Sequence, residues 1–113
     1  MSEPDGASAG GNPSLVLAGI ARIDPTRRDE VIARAVDITK RTRQEPGCIS
    51  FVCSVDLEDP NLLHVFLEWE SAAALFAILA PDRVSEVRQN AEKLGIRAVA
   101  IQRYEIQSVG SIV

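Results

Sequence analysis

Residues 61–71 read NLLHVFLEWES. Taken as a strand, whose side chains alternate between two sides, Leu63, Val65, Leu67 and Trp69 fall together, and Leu62, His64, Phe66, Glu68 and Glu70 fall opposite them. The first side belongs in a core. The second is too apolar to face water and too polar for an ordinary interior, so the fold must supply something to cover it.

Working outward, EDPN at residues 58–61 makes a tight reversal, and CISFVCSVDL at 48–57 alternates as the partner strand of a hairpin. In that strand Ile49, Phe51, Cys53, Val55 and Leu57 share one side, with Ser50, Ser54 and Asp56 on the other. Upstream, SLVLAGIARI at 14–23 is a further strand, followed by Asp24-Pro25, a capping residue and a first-turn proline. Val31, Ile32, Ala35, Val36 and Ile38 then recur at helical spacing until Pro46 and Gly47 stop the helix. Downstream, Ser71 is placed to cap AAALFAILA. A second helical piece carries Val84, Val87, Ala91 and Leu94 and stops at Gly95. The closing strand IRAVAIQRYEIQ is expected to turn Ile96, Ala98, Ala100, Tyr104 and Ile106 to one side and Arg97, Val99, Ile101, Arg103 and Glu105 to the other.

The order is βαββαβ, an α+β, ferredoxin-like arrangement in which the helices cover one face of a four-stranded antiparallel sheet. The uncovered face of such a sheet is normally polar. Here it collects Val16, Ile20, Val52, Leu62, Phe66, Val99 and Ile101, with His64, Arg22 and Arg103 among them. A second copy packed sheet to sheet over this face would bury it, giving a homodimer with Val52, Leu62, His64, Phe66, Val99 and Ile101 at the interface.

The chain has 113 residues, 46% hydrophobic and 25% charged, as expected of one globular domain over residues 14–113. Residues 1–13, rich in Gly, Ser, Pro and Ala, read as a flexible tail rather than a secretion signal, so a cytoplasmic location is expected. No apolar run approaches the ~20 residues that span a bilayer, so no membrane partner is expected. A net charge of −4 argues against nucleic acid. The same element order occurs in RNA-recognition modules, but these need basic residues and aromatics on the open face, and Phe51 has core-facing parity. The two cysteines, Cys48 and Cys53, have opposite parity and are about 16 Å apart along a strand, too far for a disulfide.

Constellations for metal, nucleotide or nucleophilic chemistry are missing. The single His64 has no cysteines or paired carboxylates at ligand spacing, and no glycine-rich phosphate cradle is present, so no metal and no cofactor are expected. What remains is an apolar space between sheet and helices. Phe51, Leu63, Val65, Leu67 and Trp69 would line it from the hairpin, Leu75, Phe76, Ile78 and Leu79 from the helix, and Tyr104 from the last strand. Trp69 either fills the core or stacks on a planar ligand.

The turn EPGCISF, the run DLEDPNLLHVFLEWESAAALFAILA and a closing strand with Tyr104 together resemble the antibiotic biosynthesis monooxygenase family, over roughly residues 14–107. The resemblance implies a dimeric α+β barrel and cofactor-independent oxidation of a planar phenol or hydroquinone to a quinone by molecular oxygen. Trp69 would be the residue acting on the substrate, a small aromatic molecule, in the pocket of Phe51, Val65, Leu67, Leu75, Ile78, Leu79 and Tyr104. Three positions depart from the family pattern. Leu67 stands where members often carry a glutamate, and Ile78 and Arg83 stand where histidines are often found. Ala21 and Ile78 likewise replace residues needed for haem degradation, which is therefore not expected. If the chain is catalytic, the proton passes to Tyr104, Arg83 or water. The rivals are a non-catalytic small-molecule-binding dimer on the same scaffold and a purely structural dimer with a filled core.

Overall fold

The computed structural model describes residues 12–78 and 81–113, with the side chains of residues 78, 81–84, 86, 87, 98 and 99 left aside. The expected tail up to residue 11 and the pocket residue Leu79 lie outside the described residues. Strand β1 (Leu15–Ile23) is followed by helix α1 (Arg28–Thr42), the hairpin β2 (Cys48–Val55) and β3 (Leu62–Trp69), helices α2 (Ala72–Ile78) and α3 (Pro81–Lys93), and strand β4 (Ile96–Glu105). All strand pairs are antiparallel, in the spatial order β2-β3-β1-β4. The fold is the ferredoxin-like α+β arrangement read from the sequence.

Local chemistry explains the boundaries. Asp24 caps a short 3-10 turn (Pro25–Arg27) rather than α1 itself, its Oδ1 accepting the Thr26 amide at 3.0 Å. Burial slightly opposes ionisation there, but the Thr26 hydroxyl and amide dominate and hold the carboxyl below its ordinary range. Ser71 Oγ accepts the Ala74 amide at 3.0 Å and so caps α2. Gly47, at φ +87°, makes the left-handed turn into β2, and a Cβ there would meet the Ala74 methyl at 2.4 Å. The β2–β3 turn is held by carboxylates. Asp56 Oδ2 accepts the amides of Glu58 and Asp59, and Asp59 Oδ1 accepts that of Asn61, each at 2.9–3.0 Å. Leu57, expected on the core side, lies in this turn and is fully exposed.

Two register shifts alter the faces read from the sequence. In β2, Cys48 pairs with Trp69 and Ser50 with Glu68, so Ile49 is an extra residue in a bulge. In β4, Val99 pairs with Ala21 but Ile96 with Ile23, three residues against two. Each bulge inverts the parity beyond it. Cys48 and Cys53 consequently lie on the same, helix-covered side, both against the core, and not on opposite faces; both are free thiols. In β4, from Val99 onward, the odd-numbered positions turn to the helix side and the even-numbered ones to the open side.

The helix side of the sheet holds two adjoining buried clusters. One joins Leu15, Phe51, Leu67, Trp69 and Leu75, and the other Ala21, Ile23, Val31 and Leu63. Between these rows lies Gly19, where an added Cβ would come within 2.0 Å of the Ala100 carbonyl oxygen. β4 therefore approaches β1 too closely at this point to admit any side chain.

Candidate functional site

The helix-side rows can be read directly from the pairing. Cys48, Trp69, Leu15 and Glu105 form one row, Phe51, Leu67, Leu17 and Arg103 the next, then Cys53, Val65, Gly19 and Ile101. Trp69 is fully buried and shares its cluster with Phe51, Leu67 and Leu75, while Val65, Cys48 and Ala74 pack around it. Of the sequence-predicted pocket residues, Phe51, Val65 and Leu67 of the hairpin and Leu75 of α2 thus share one cluster with Trp69, while Leu63 belongs to the other cluster. Phe76, expected among them, points outward and is half-exposed. For Ile78 the backbone alone is described, at the end of α2.

Tyr104 does not join them. It pairs with Val16 on the open face and its hydroxyl donates to Gln102 Oε1 at 2.9 Å. The β4 bulge is the cause. It also removes two expected interface residues from that face: Ile101 pairs with Gly19 on the helix side, and Val99 occupies a helix-side register position opposite Ala21.

The same inversion brings in a pair that the sequence reading had placed on the open face. Arg103 and Glu105 stand on the helix side, with Arg103 Nη2 3.9 Å from Glu105 Oε1. With the two cysteines they are the ionisable side chains in the paired rows on that side. Desolvation by burial raises the thiol pKa of both Cys48 and Cys53, so neither is a ready base at neutral pH. Glu105 is the carboxylate of the set, and it is well exposed.

One polar atom in the apolar cluster is unmatched. The Trp69 indole Nε1–H is buried with no hydrogen-bond partner among the described residues. An unpaired buried donor costs about 1–3 kcal/mol, and such groups in folded proteins call for a reason. A groove of about 270 Å³ lies elsewhere, between α1 and the hairpin, lined by Ile32, Val36, Lys40, Arg43, Cys53 and Val55 among others. Among the described residues no group of three or more His, Cys, Asp or Glu side chains is placed to hold a metal, and no helix is long and apolar enough to cross a membrane.

The open face reads Ser50, Glu68, Val16 and Tyr104 in one row, Val52, Phe66, Ala18 and Gln102 in the next, and Ser54, His64, Ile20 and Ala100 in the third. Ile20, Val52, Phe66 and Tyr104 are each 37–47% exposed, and Val16 is buried. Leu62, at the hairpin end, is half-buried. Polar residues fringe this patch. Ser50 Oγ donates to Glu68 at 2.7 Å, His64 Nε2 donates to Asp56 Oδ1 at 2.8 Å, and Arg22 Nη1 donates to Asp59 Oδ2 at 3.0 Å. Asp56 is held below the ordinary carboxylate range chiefly by the His64 contact, then by the amides of Glu58 and Asp59.

The profile of the antibiotic biosynthesis monooxygenase family matches residues 15–92, from the start of β1 to the end of α3. The chain belongs to this family. A protein of Deinococcus radiodurans described as a candidate antibiotic biosynthesis monooxygenase superposes with a TM-score of 0.79 at 21% identity, over 88% of this chain and 98% of that one. A second, from Chloroflexus aurantiacus and described in the same way, gives 0.64 at 25% identity over 88% and 98%. An uncharacterised protein of Synechocystis sp. is 33% identical over 66 residues, 58% of this chain and 45% of that protein, so the chain matches under half of that relative's length. The family-matched segment of this antibiotic biosynthesis monooxygenase family member contains Trp69 and all the pocket residues around it, while β4 with its bulge, Arg103 and Glu105 lies beyond the match.

Proposed function

We propose that the chain is a cofactor-independent monooxygenase that oxidises a planar, electron-rich phenol, hydroquinone or anthrone to the quinone with molecular oxygen, working as a homodimer. The observation that carries this reading is the buried, unpartnered indole N–H of Trp69 within an apolar cluster. An aromatic ligand bearing an oxygen would meet both demands of that site, stacking among Phe51, Leu67 and Leu75 and accepting the orphan hydrogen bond. Leu75 and Ala74 of α2 pack in the same cluster as Trp69, so α2 is the element that must move to admit substrate.

The chemistry asks little of the protein. For an anthrone, loss of a ring proton gives a carbanion that reduces oxygen. One oxygen atom then replaces the two hydrogens of the methylene as a carbonyl, and the other leaves as water, the substrate giving up all four electrons and molecular oxygen accepting them. Catalysis is then a matter of orientation, of excluding water from the carbanion, and of accepting a proton. With Leu67 and Ile78 at the positions where relatives carry acids and bases, and Tyr104 on the far face, Glu105 is the proton acceptor.

Oxygen uptake with an anthrone or menadiol tests the proposal. Turnover should exceed the protein-free rate, should fall at least tenfold in Trp69→Phe, and should fall in Glu105→Gln. Equal rates with and without protein would remove the enzymatic reading. Among the described residues no buried acid or base stands around Trp69, which supports the second reading, a ligand-binding dimer without turnover. An aromatic molecule retained through purification by a protein that consumes no oxygen would establish it.

A further inference from the structure

We propose that the groove under α1 is a second ligand site, which takes a straight-chain monocarboxylic acid with its chain on Val36, Cys53, Val55 and Leu63 and its carboxylate between Lys40 and Arg43. The groove exists because α1 stands off the hairpin. Val31, near the start of the helix, is its one buried residue. Further along, the helix offers the space Ala35 and Thr39 and β2 offers it Cys53, all short side chains. The Thr39 hydroxyl donates back to the Ala35 carbonyl at 2.7 Å and so brings the groove no free hydrogen. The opening left is about 270 Å³, lies over the second buried cluster and shares Cys53 with the Trp69 cluster. Val36, on its wall, is half-exposed. Burial raises the Cys53 thiol pKa, so the floor is uncharged at neutral pH.

Shape and charge select the occupant. The lining runs from Ile32 to Arg43, about 16 Å of helix, so the space averages about 17 Å² in cross-section. That admits a single methylene chain and not a ring system of the kind proposed for Trp69. At ~30 Å³ per water the volume equals about nine waters, the bulk of an eight-carbon acid. The chain carries a net charge of −4, yet both charged side chains in the lining, Lys40 and Arg43, are cations. Such residues suit the C-terminal end of any helix. Arg43 does more, for its Nε donates to the Phe51 carbonyl at 3.0 Å on β2, an outer strand of the sheet, which ties the guanidinium across to the hairpin. Its Nη groups and the Lys40 ammonium have no partner among the described residues, and the nearby Asp37 is engaged by Arg41 at 3.4 Å. A carboxylate between them takes charge-assisted hydrogen bonds from both cations, while its chain covers the apolar wall.

The test is calorimetric titration of the full chain at low ionic strength with octanoate, hexanoate and n-octanol. Octanoate should bind about fifteenfold tighter than hexanoate, from two more buried methylenes, and at least tenfold tighter than n-octanol. Lys40→Ala/Arg43→Ala should weaken octanoate at least tenfold and leave n-octanol within about twofold. Lys40→Ala alone, which keeps the Arg43 bond to β2, should weaken octanoate at least threefold. No saturable binding up to about 10 mM octanoate overturns the site, as does equal affinity in the parent and both variants. Octanoate affinity that falls in Trp69→Phe but not in Lys40→Ala puts the acid in the Trp69 cluster and overturns it too.

Discussion

The two faces of one sheet differ in how their apolar residues are satisfied. On the helix side Trp69, Leu75 and Val31 are completely enclosed, and the neighbouring rows interlock. On the open side Phe66, Val52 and Ile20 follow the same strand alternation but keep over a third of their surface in water. The strands, the spacing and the side-chain types are alike. What separates the faces is only whether another layer exists within the chain, which is why the first reads as stability and the second as association.

Substitutions on the two faces should separate these roles. The largest effect is expected on the closed face, between its two buried clusters. Gly19→Val would drive a side chain into the Ala100 carbonyl and should cost about 3 kcal/mol or more, seen as loss of cooperative thermal unfolding. On the closed face Trp69→Ala should cost about 3–5 kcal/mol in a denaturant titration, through the cavity it leaves. On the open face Phe66→Ala should change protomer stability by less than about 1 kcal/mol. Phe66→Asp should instead abolish dimers in sedimentation while leaving the fold intact. If Phe66→Ala proves as destabilising as Trp69→Ala, the contrast between the faces fails.

Within the closed face, Trp69→Phe sharpens the comparison between packing and chemistry. It deletes a donor that has no partner, so stability should stay within about 1 kcal/mol of the parent or rise, even as ligand binding falls. The smallest effect belongs to the hairpin turn at the rim. The folded-state pKa of Asp56 lies below its unfolded value near 3.8, so its contribution is full above that value and is lost as the pH falls through the lower, folded pKa. Amide exchange at Glu58 and Asp59 should therefore quicken severalfold as the solution is taken below pH 3.8, and Asp56→Asn should show the faster exchange already at neutral pH.

Element order was legible because each boundary has its own chemistry: Asp24-Pro25, Pro46-Gly47, Ser71 and Gly95 mark turns and caps by residue type. The alternation of β3 was legible because its register against β1 is unbroken from Leu62 to Trp69. The bulges were not, because an extra residue leaves no compositional mark. Ile49 is as apolar as its neighbours, and the extra residue early in β4 lies in a run, Ile96 to Ala100, that alternates either way. The cost fell on the site. Tyr104 was assigned to the pocket and Ile101 to the open face, while Glu105 and Cys48 went unnoticed on the side where Trp69 sits.

The irregularity early in β4 has an evolutionary corollary. A strand offset of one residue can be gained or lost by inserting or deleting a single codon, and every position from Val99 to Glu105 would then trade sides at once. Tyr104 would turn to the helix side, and the charged pair would leave it. A lineage carrying this scaffold could thus exchange an acidic lining for a phenolic one in one mutational step, without altering any amino acid that does so.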